Sequence, residues 1–113
     1  MLSGNTRGSI TVTGTTTAYN TSSDRRLKSN IQDAASASAK IDAMKVRQFD
    51  WTEDGKHQDY GMIAQELQSI EPLAVSGSED STDMMGVDYS KLVPMLIKEI
   101  QELRSRVATL EAN

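Results

Sequence analysis

The stretch Val93-Pro94-Met95-Leu96-Ile97-Lys98-Glu99-Ile100-Gln101-Glu102-Leu103-Arg104-Ser105-Arg106-Val107-Ala108-Thr109-Leu110 decides the fold. Counted from Tyr89, the apolar positions Val93, Leu96, Ile100, Leu103, Val107 and Leu110 follow steps of 4, 3, 4, 3, 4 and 3. That is a heptad seam with β-branched residues at a and Leu at d, the pattern of a coiled-coil helix that binds copies of itself. Between identical parallel chains Glu99 at g would face Arg104 at e, and Arg106 at g would face Glu111 at e. Leu92 and Ile97, at flanking positions, are apolar too. They widen the face beyond a dimer seam and point to three or more chains, or to packing on the domain body, whereas the a and d identities alone favour a dimer. Asp88 is a plausible N-cap. Pro94 kinks the first turns or marks where the helix begins.

Upstream of this helix the texture is that of a small α+β body. Ala34, Ala37, Ile41 and Met44 are spaced for a short helix ending near Met44. Val46 to Trp51 reads as a strand with Phe49 and Trp51 on one face. Asp54-Gly55 is a hairpin turn signal, and Gln58 to Gly61 would be the return strand. Ile63, Leu67 and Ile70 line a second helix, stopped by Pro72. Leu73-Ala74-Val75 and Met84 to Val87 are short strand candidates around the acidic loop Gly77 to Asp83. Residues 1–23 are rich in Thr, Ser and Gly. Their alternating segments Ser9 to Thr13 and Thr15 to Tyr19 suit a β-stalk completed by neighbouring chains. The expected division is 1–23, the stalk, then 24–88, the α+β body, and 89–113, the coiled-coil helix.

Composition narrows the function classes. The chain has 113 residues, 37% hydrophobic and only 4% aromatic, thin for a self-sufficient core and in favour of oligomerisation. A net charge of −4 offers no broad basic field for nucleic acid. There are no cysteines, which excludes disulfides and thiolate metal sites. The run Leu92 to Ile97 is far too short for a membrane span. Nothing at the N-terminus has a signal-peptide pattern, and the chain is expected to be a piece of a larger protein.

One boundary carries candidate chemistry: Ser22-Ser23-Asp24-Arg25-Arg26-Leu27-Lys28-Ser29-Asn30-Ile31. A serine hydroxyl is a weak nucleophile until a base takes its proton. A lysine does so only when neutral, which requires a pKa moved from about 10.4 towards neutrality. Burial or neighbouring cations favour that form, and Arg25 and Arg26 are close in sequence to Lys28. On spacing alone, a Ser-Asp turn before a solvated basic strand explains the same residues. His57 falls in a hairpin loop and is expected to be exposed. Asp50, Glu53, Asp54 and Asp59 match no cation loop and read as a turn. Met84-Met85 reads as packing. Neither a metal nor a cofactor is implied.

Ser23 to Ile31 resembles the start of the C-terminal intramolecular chaperone domain of phage tailspikes, endosialidases and tail fibres. Phe49-Asp50-Trp51, Gly61-Met62-Ile63-Ala64-Gln65-Glu66-Leu67 and Val87-Asp88-Tyr89-Ser90-Lys91-Leu92-Val93-Pro94 follow in that family's order, over about residues 22–110. Gly8 to Gly14 resembles the end of a fibre shaft. A related domain occurs in myelin regulatory transcription factors, whose DNA-binding and membrane parts have no counterpart here. The resemblance implies a homotrimer that guides assembly of the preceding fibre domains in the host cytoplasm. It then releases itself from the virion fibre precursor. It implies a Ser-Lys autopeptidase with Ser23 as nucleophile, Lys28 as base and Ser23–Asp24 as the scissile bond. Arg25, Arg26, Asn30, Gln65 and Glu66 are candidate supporting residues. Attack by Ser23 on its own carbonyl would need a strained four-membered ring, which leaves water or an arrangement formed with another chain. Two other readings are a non-catalytic trimerisation or attachment module and a proteolytic switch in a larger regulatory protein.

Overall fold

The structure is a computed structural model that describes residues 8–113. The part of the stalk segment at 1–7 lies outside the described residues. The chain falls into two units, the first ending at Asp33 and the second Ala34–Asn113.

The first unit is a hairpin and the segment that leaves it. Strands β1 (Gly8–Val12) and β2 (Thr17–Thr21) pair antiparallel, with Ile10 opposite Tyr19 and Val12 opposite Thr17. Thr13 N donates to the Thr16 carbonyl at 2.7 Å and closes the turn. Every strand residue is exposed, Ile10 by 66% and Tyr19 by 79%. An isolated two-stranded ribbon with nothing buried is marginal in water.

The second unit has seven helices and strands, all of the expected kinds. They are α1 (Ser38–Ala43), β3 (Arg47–Asp50), β4 (His57–Gly61), α2 (Ala64–Gln68), the short pair β5 (Val75–Ser76) and β6 (Gly86–Val87), and α3 (Val93–Ala112). Helix α1 starts four residues later than the apolar spacing from Ala34 predicts. Ser36 Oγ accepts from Ser38 N at 3.2 Å, so a serine turn holds the chain just before the helix. Strands β3 and β4 pair antiparallel, Asp50 opposite His57 and Phe49 opposite Gln58, with an irregularity between Arg47 and Phe49. Gly55 takes a φ of 73° in the connecting turn, the left-handed region glycine enters freely. Phe49 and Trp51 share a face as expected, their rings edge to face with centroids 5.4 Å apart. Gly61 is buried where a Cβ would stand 2.8 Å from the Phe49 ring.

Pro72 does not simply end α2. It opens a 3₁₀ turn, Pro72–Ala74, so the strand foreseen at Leu73 starts only at Val75. Asp88 N donates to the Ala74 carbonyl at 2.8 Å, just beyond the β5–β6 pair. Asp88 also caps a second 3₁₀ turn, Tyr89–Leu92, by accepting from Ser90 N, and Ser90 holds its carboxyl below the usual range. Pro94 then occupies the first turn of α3, where its missing N–H has no cost.

The core is small: Leu67, Ala74 and Leu92, with Met44, Met62, Val75, Val87 and Met95 against it. Leu92 thus joins the body. Tyr89, counted at the head of the heptad, does not belong to the helical seam. It precedes Pro94 in a different helical geometry, and its hydroxyl accepts from Met62 N at 3.0 Å. Leu67→Ala is expected to cost about 2–5 kcal/mol, because its 1% exposure leaves a cavity with few ways to collapse. Urea unfolding of the full chain measures this.

Helix α3 is about 30 Å long. Its Met95 packs against the core, Lys98, Glu99 and Glu102 are half-buried, and Ser36 and Ser38 hold the two glutamates. Ser38 Oγ donates to Glu99 Oε2 at 2.9 Å, and Ser36 Oγ donates to Glu102 Oε2 at 2.8 Å. The opposite stripe is uncovered: Val93, Leu96, Ile97, Ile100, Leu103, Val107 and Leu110 are all exposed, between 47% and 72%. Within the chain, then, Glu99 already has a partner in Ser38, which competes with the foreseen contact to Arg104.

Candidate functional site

The chain leaves β2 at Thr21 and runs extended through Ser22 and Ser23. Asp24 then caps a 3₁₀ turn, Arg25–Leu27. Aspartate is a favoured cap because its short side chain reaches the free N–H groups of the turn that follows. Its Oδ1 accepts from Arg26 N at 2.9 Å. The turn closes with Leu27 N donating to the Asp24 carbonyl and Lys28 N to the Arg25 carbonyl, both at 3.0 Å. Five extended residues would span about 17 Å. The turn folds that distance away: Lys28 Nζ donates to Ser23 Oγ at 2.7 Å.

The spacing alone left a basic strand open as the plainer reading. The turn replaces that strand, and the two candidate side chains touch. Both are exposed in the single chain. The Lys28 ammonium is the donor in this arrangement. Loss of one proton converts the same contact into one in which Ser23 donates to a neutral amine.

Arg26 is not a free cation beside Lys28. Its Nε lies 3.1 Å from Asp24 Oδ1 and its Nη2 2.7 Å from Asp24 Oδ2, a two-point fork on the carboxylate. The Arg26 guanidinium holds the Asp24 carboxyl below the usual range. Arg25 makes no ion pair among the described residues. Asn30 has a φ of 53°, a left-handed conformation asparagine tolerates better than most residues, so its contribution is to the path of the backbone after Lys28. The Arg26 fork was not foreseen from sequence. Its signal was an Asp two residues before an Arg at a place where Asp also caps.

Gln65 and Glu66 lie on α2, in the second unit. Gln65 is exposed. Glu66 is occupied by Arg47 of β3, with Nε at 3.1 Å and Nη2 at 2.6 Å, which holds its carboxyl below the usual range. His57 opens β4, half-exposed rather than in the turn itself. Its Nδ1 is 2.6 Å from Asp50 Oδ1 and its Nε2 3.1 Å from Asp59 Oδ1. No helix among the described residues is long and apolar enough to cross a membrane.

Residues 23–76 match the model of a family described as the chaperone of endosialidase, peptidase S74. The match opens on Ser23, the serine that Lys28 touches. Over residues 23–76 the chain is similar to the endosialidase-chaperone family. The endosialidase-chaperone match runs from the site through α1, the β3–β4 hairpin and α2 to β5. A second likeness extends further along the chain. A probable tail fiber protein of Escherichia phage Phieco32 is 35% identical over 95 residues, 80% of this chain. The chain spans 13% of that relative's length.

Proposed function

We propose that this chain is the self-releasing chaperone of a phage tail fibre. Three copies assemble through α3 and hold the fibre segments before them in register. The chain then cuts itself once between Ser23 and Asp24. The observation that carries the reading is the 2.7 Å contact from Lys28 Nζ to Ser23 Oγ, at the first residue of the family match. The family's peptidase name and the tail-fibre likeness support the reaction and the setting.

A trimeric fibre needs such a device because its contacts lie between chains, so ordering entropy is lost before pairing offsets it. A compact trimer raises the effective concentration of the three chains to the order of mM. Removing it afterwards takes away the element from which refolding could restart, and the fibre's stability becomes kinetic.

The reaction breaks the Ser23 C–Asp24 N bond and adds water across it, leaving a carboxylate on Ser23 and an amine on Asp24. Neutral Lys28 takes the proton of the attacking hydroxyl and delivers it to the departing Asp24 nitrogen. Ring strain excludes attack on the same residue's carbonyl. The attacking oxygen is therefore a water held by Ser23 and Lys28, or a Ser23 hydroxyl of a neighbouring copy, in which case water then hydrolyses the ester formed on that hydroxyl. Exposure of both side chains in the single chain gives assembly a role in the chemistry. Covering them by a neighbour disfavours the lysine's charged form and switches the base on.

A non-catalytic trimerisation module is the second reading, favoured by that same exposure. A time course of fragment formation by the full chain, beside Ser23→Ala, separates the two. Self-cleavage predicts two fragments from the wild type and an intact variant that still assembles. A wild-type trimer that stays whole for days contradicts it.

A further inference from the structure

We propose that Arg26 is a positioning residue for self-cleavage: it holds both Asp24 carboxylate oxygens, fixing the turn that sets Lys28 on Ser23 and keeping that carboxylate off the lysine amine. This rests on the reading of Ser23 and Lys28 given above.

The geometry has two parts. Asp24 follows the scissile bond directly, so its carboxylate belongs to the same turn as Ser23 and Lys28. Arg26 takes Oδ1 through Nε and Oδ2 through Nη2, while Arg26 N also binds Oδ1. All three contacts close the same turn, and that turn is what brings a residue five positions away to 2.7 Å from Ser23 Oγ.

The second part is electrostatic. The charged side chains of residues 8–33 are Asp24, Arg25, Arg26, Lys28 and Asp33. With Arg26 removed, the cations of the same turn left to Asp24 are Arg25 and Lys28. A carboxylate close to an amine favours the charged amine, and a charged amine is no base. On this proposal Arg26 spares Lys28 from the carboxylate of its own turn. Arg26 suits the task because its planar fork covers both oxygens at once, which a lysine cannot do. The low pKa of Asp24 agrees, since it marks a carboxylate engaged by its cation in the folded chain.

The test is the rate of self-cleavage of the full chain from pH 6 to 10 for wild type, Arg26→Gln, Arg26→Lys and Asp24→Asn/Arg26→Gln. Trimer content and circular dichroism are followed in each. Arg26→Gln is expected to move the rising limb of the profile about one pH unit to the alkaline side. That makes it about tenfold slower at neutral pH while it remains assembled. The double variant has no carboxylate to trap the lysine, and its limb returns to the wild-type position. Arg26→Lys recovers part of the loss. A merely structural role would lower the rate equally at every pH and leave the double variant no better than Arg26→Gln. That result, or superimposable wild-type and Arg26→Gln profiles, overturns the proposal while self-cleavage itself stands. Should Arg26→Gln fail to assemble, the profiles of Arg26→Lys and the double variant decide by the same criterion. A wild-type chain that never cuts overturns the parent reading, and this one with it.

Discussion

Ile100→Asp leaves the chain monomeric and uncut. Ile100 sits mid-seam on α3, 55% exposed in the single chain, between Leu96 and Leu103 on the same stripe. Nothing among the described residues covers that stripe. The half-buried face with Met95, Lys98, Glu99 and Glu102 is the one that meets the body. An apolar stripe along a helix of this length is poor value in water unless copies cover it. Burying an isoleucine contributes about 1.5–3 kcal/mol, so three copies at one layer contribute about 5 kcal/mol or more. Losing that, and placing three carboxylates at one level of the seam, weakens association by more than about a thousandfold. Sedimentation at micromolar concentration is expected to show trimers for the wild type and single chains for the variant. On the proposal that a neighbouring copy covers Ser23 and Lys28, cutting is expected to stop as well. A monomeric Ile100→Asp that still cuts at the wild-type rate would separate the two halves of the account.

Lys28→Arg cuts no faster than Lys28→Ala, and both are slower than wild type by about 10²–10⁴-fold, the usual worth of a general base. The arginine variant is the informative one. Its guanidinium can still donate to Ser23 Oγ and preserve the observed contact, yet it does not lose a proton in proteins. If Lys28 served only to hold the turn, arginine would restore much of the activity. Fragment yield against time, with trimer content held equal, measures this. Wild-type cutting by Lys28→Arg would remove the base from the mechanism.

Much of the fold was legible because local rules and tertiary packing agree there. Asp54-Gly55 demanded a turn, and Gly55 takes the positive φ that such a turn uses. Leu67 fell on the inner face of its helix by spacing and is the largest fully buried side chain among the described residues. The heptad from Val93 to Leu110 runs through an unbroken helix. Short 3₁₀ turns were less legible, since one hydrogen bond per turn leaves no periodicity to read. Three of them, at Arg25, Pro72 and Tyr89, account for the displaced strand at Val75 and the reassignment of Tyr89. The same gap hid the geometry of the site. Ser23 and Lys28 were recognisable as a pair only by resemblance, because contact across five residues depends on a turn set by Asp24 and Arg26. The Arg47–Glu66 and Ser38–Glu99 contacts join residues 19 and 61 positions apart, and no local pattern announces them.

The most direct measurement of the central claim is the N-terminal residue of the larger fragment that forms when the purified full chain is incubated. The account predicts Asp24, with the sequence Asp-Arg-Arg-Leu-Lys, in wild type and no such fragment in Ser23→Ala. A fragment that begins at any other residue, or a wild-type trimer in which no new N-terminus appears, would contradict it.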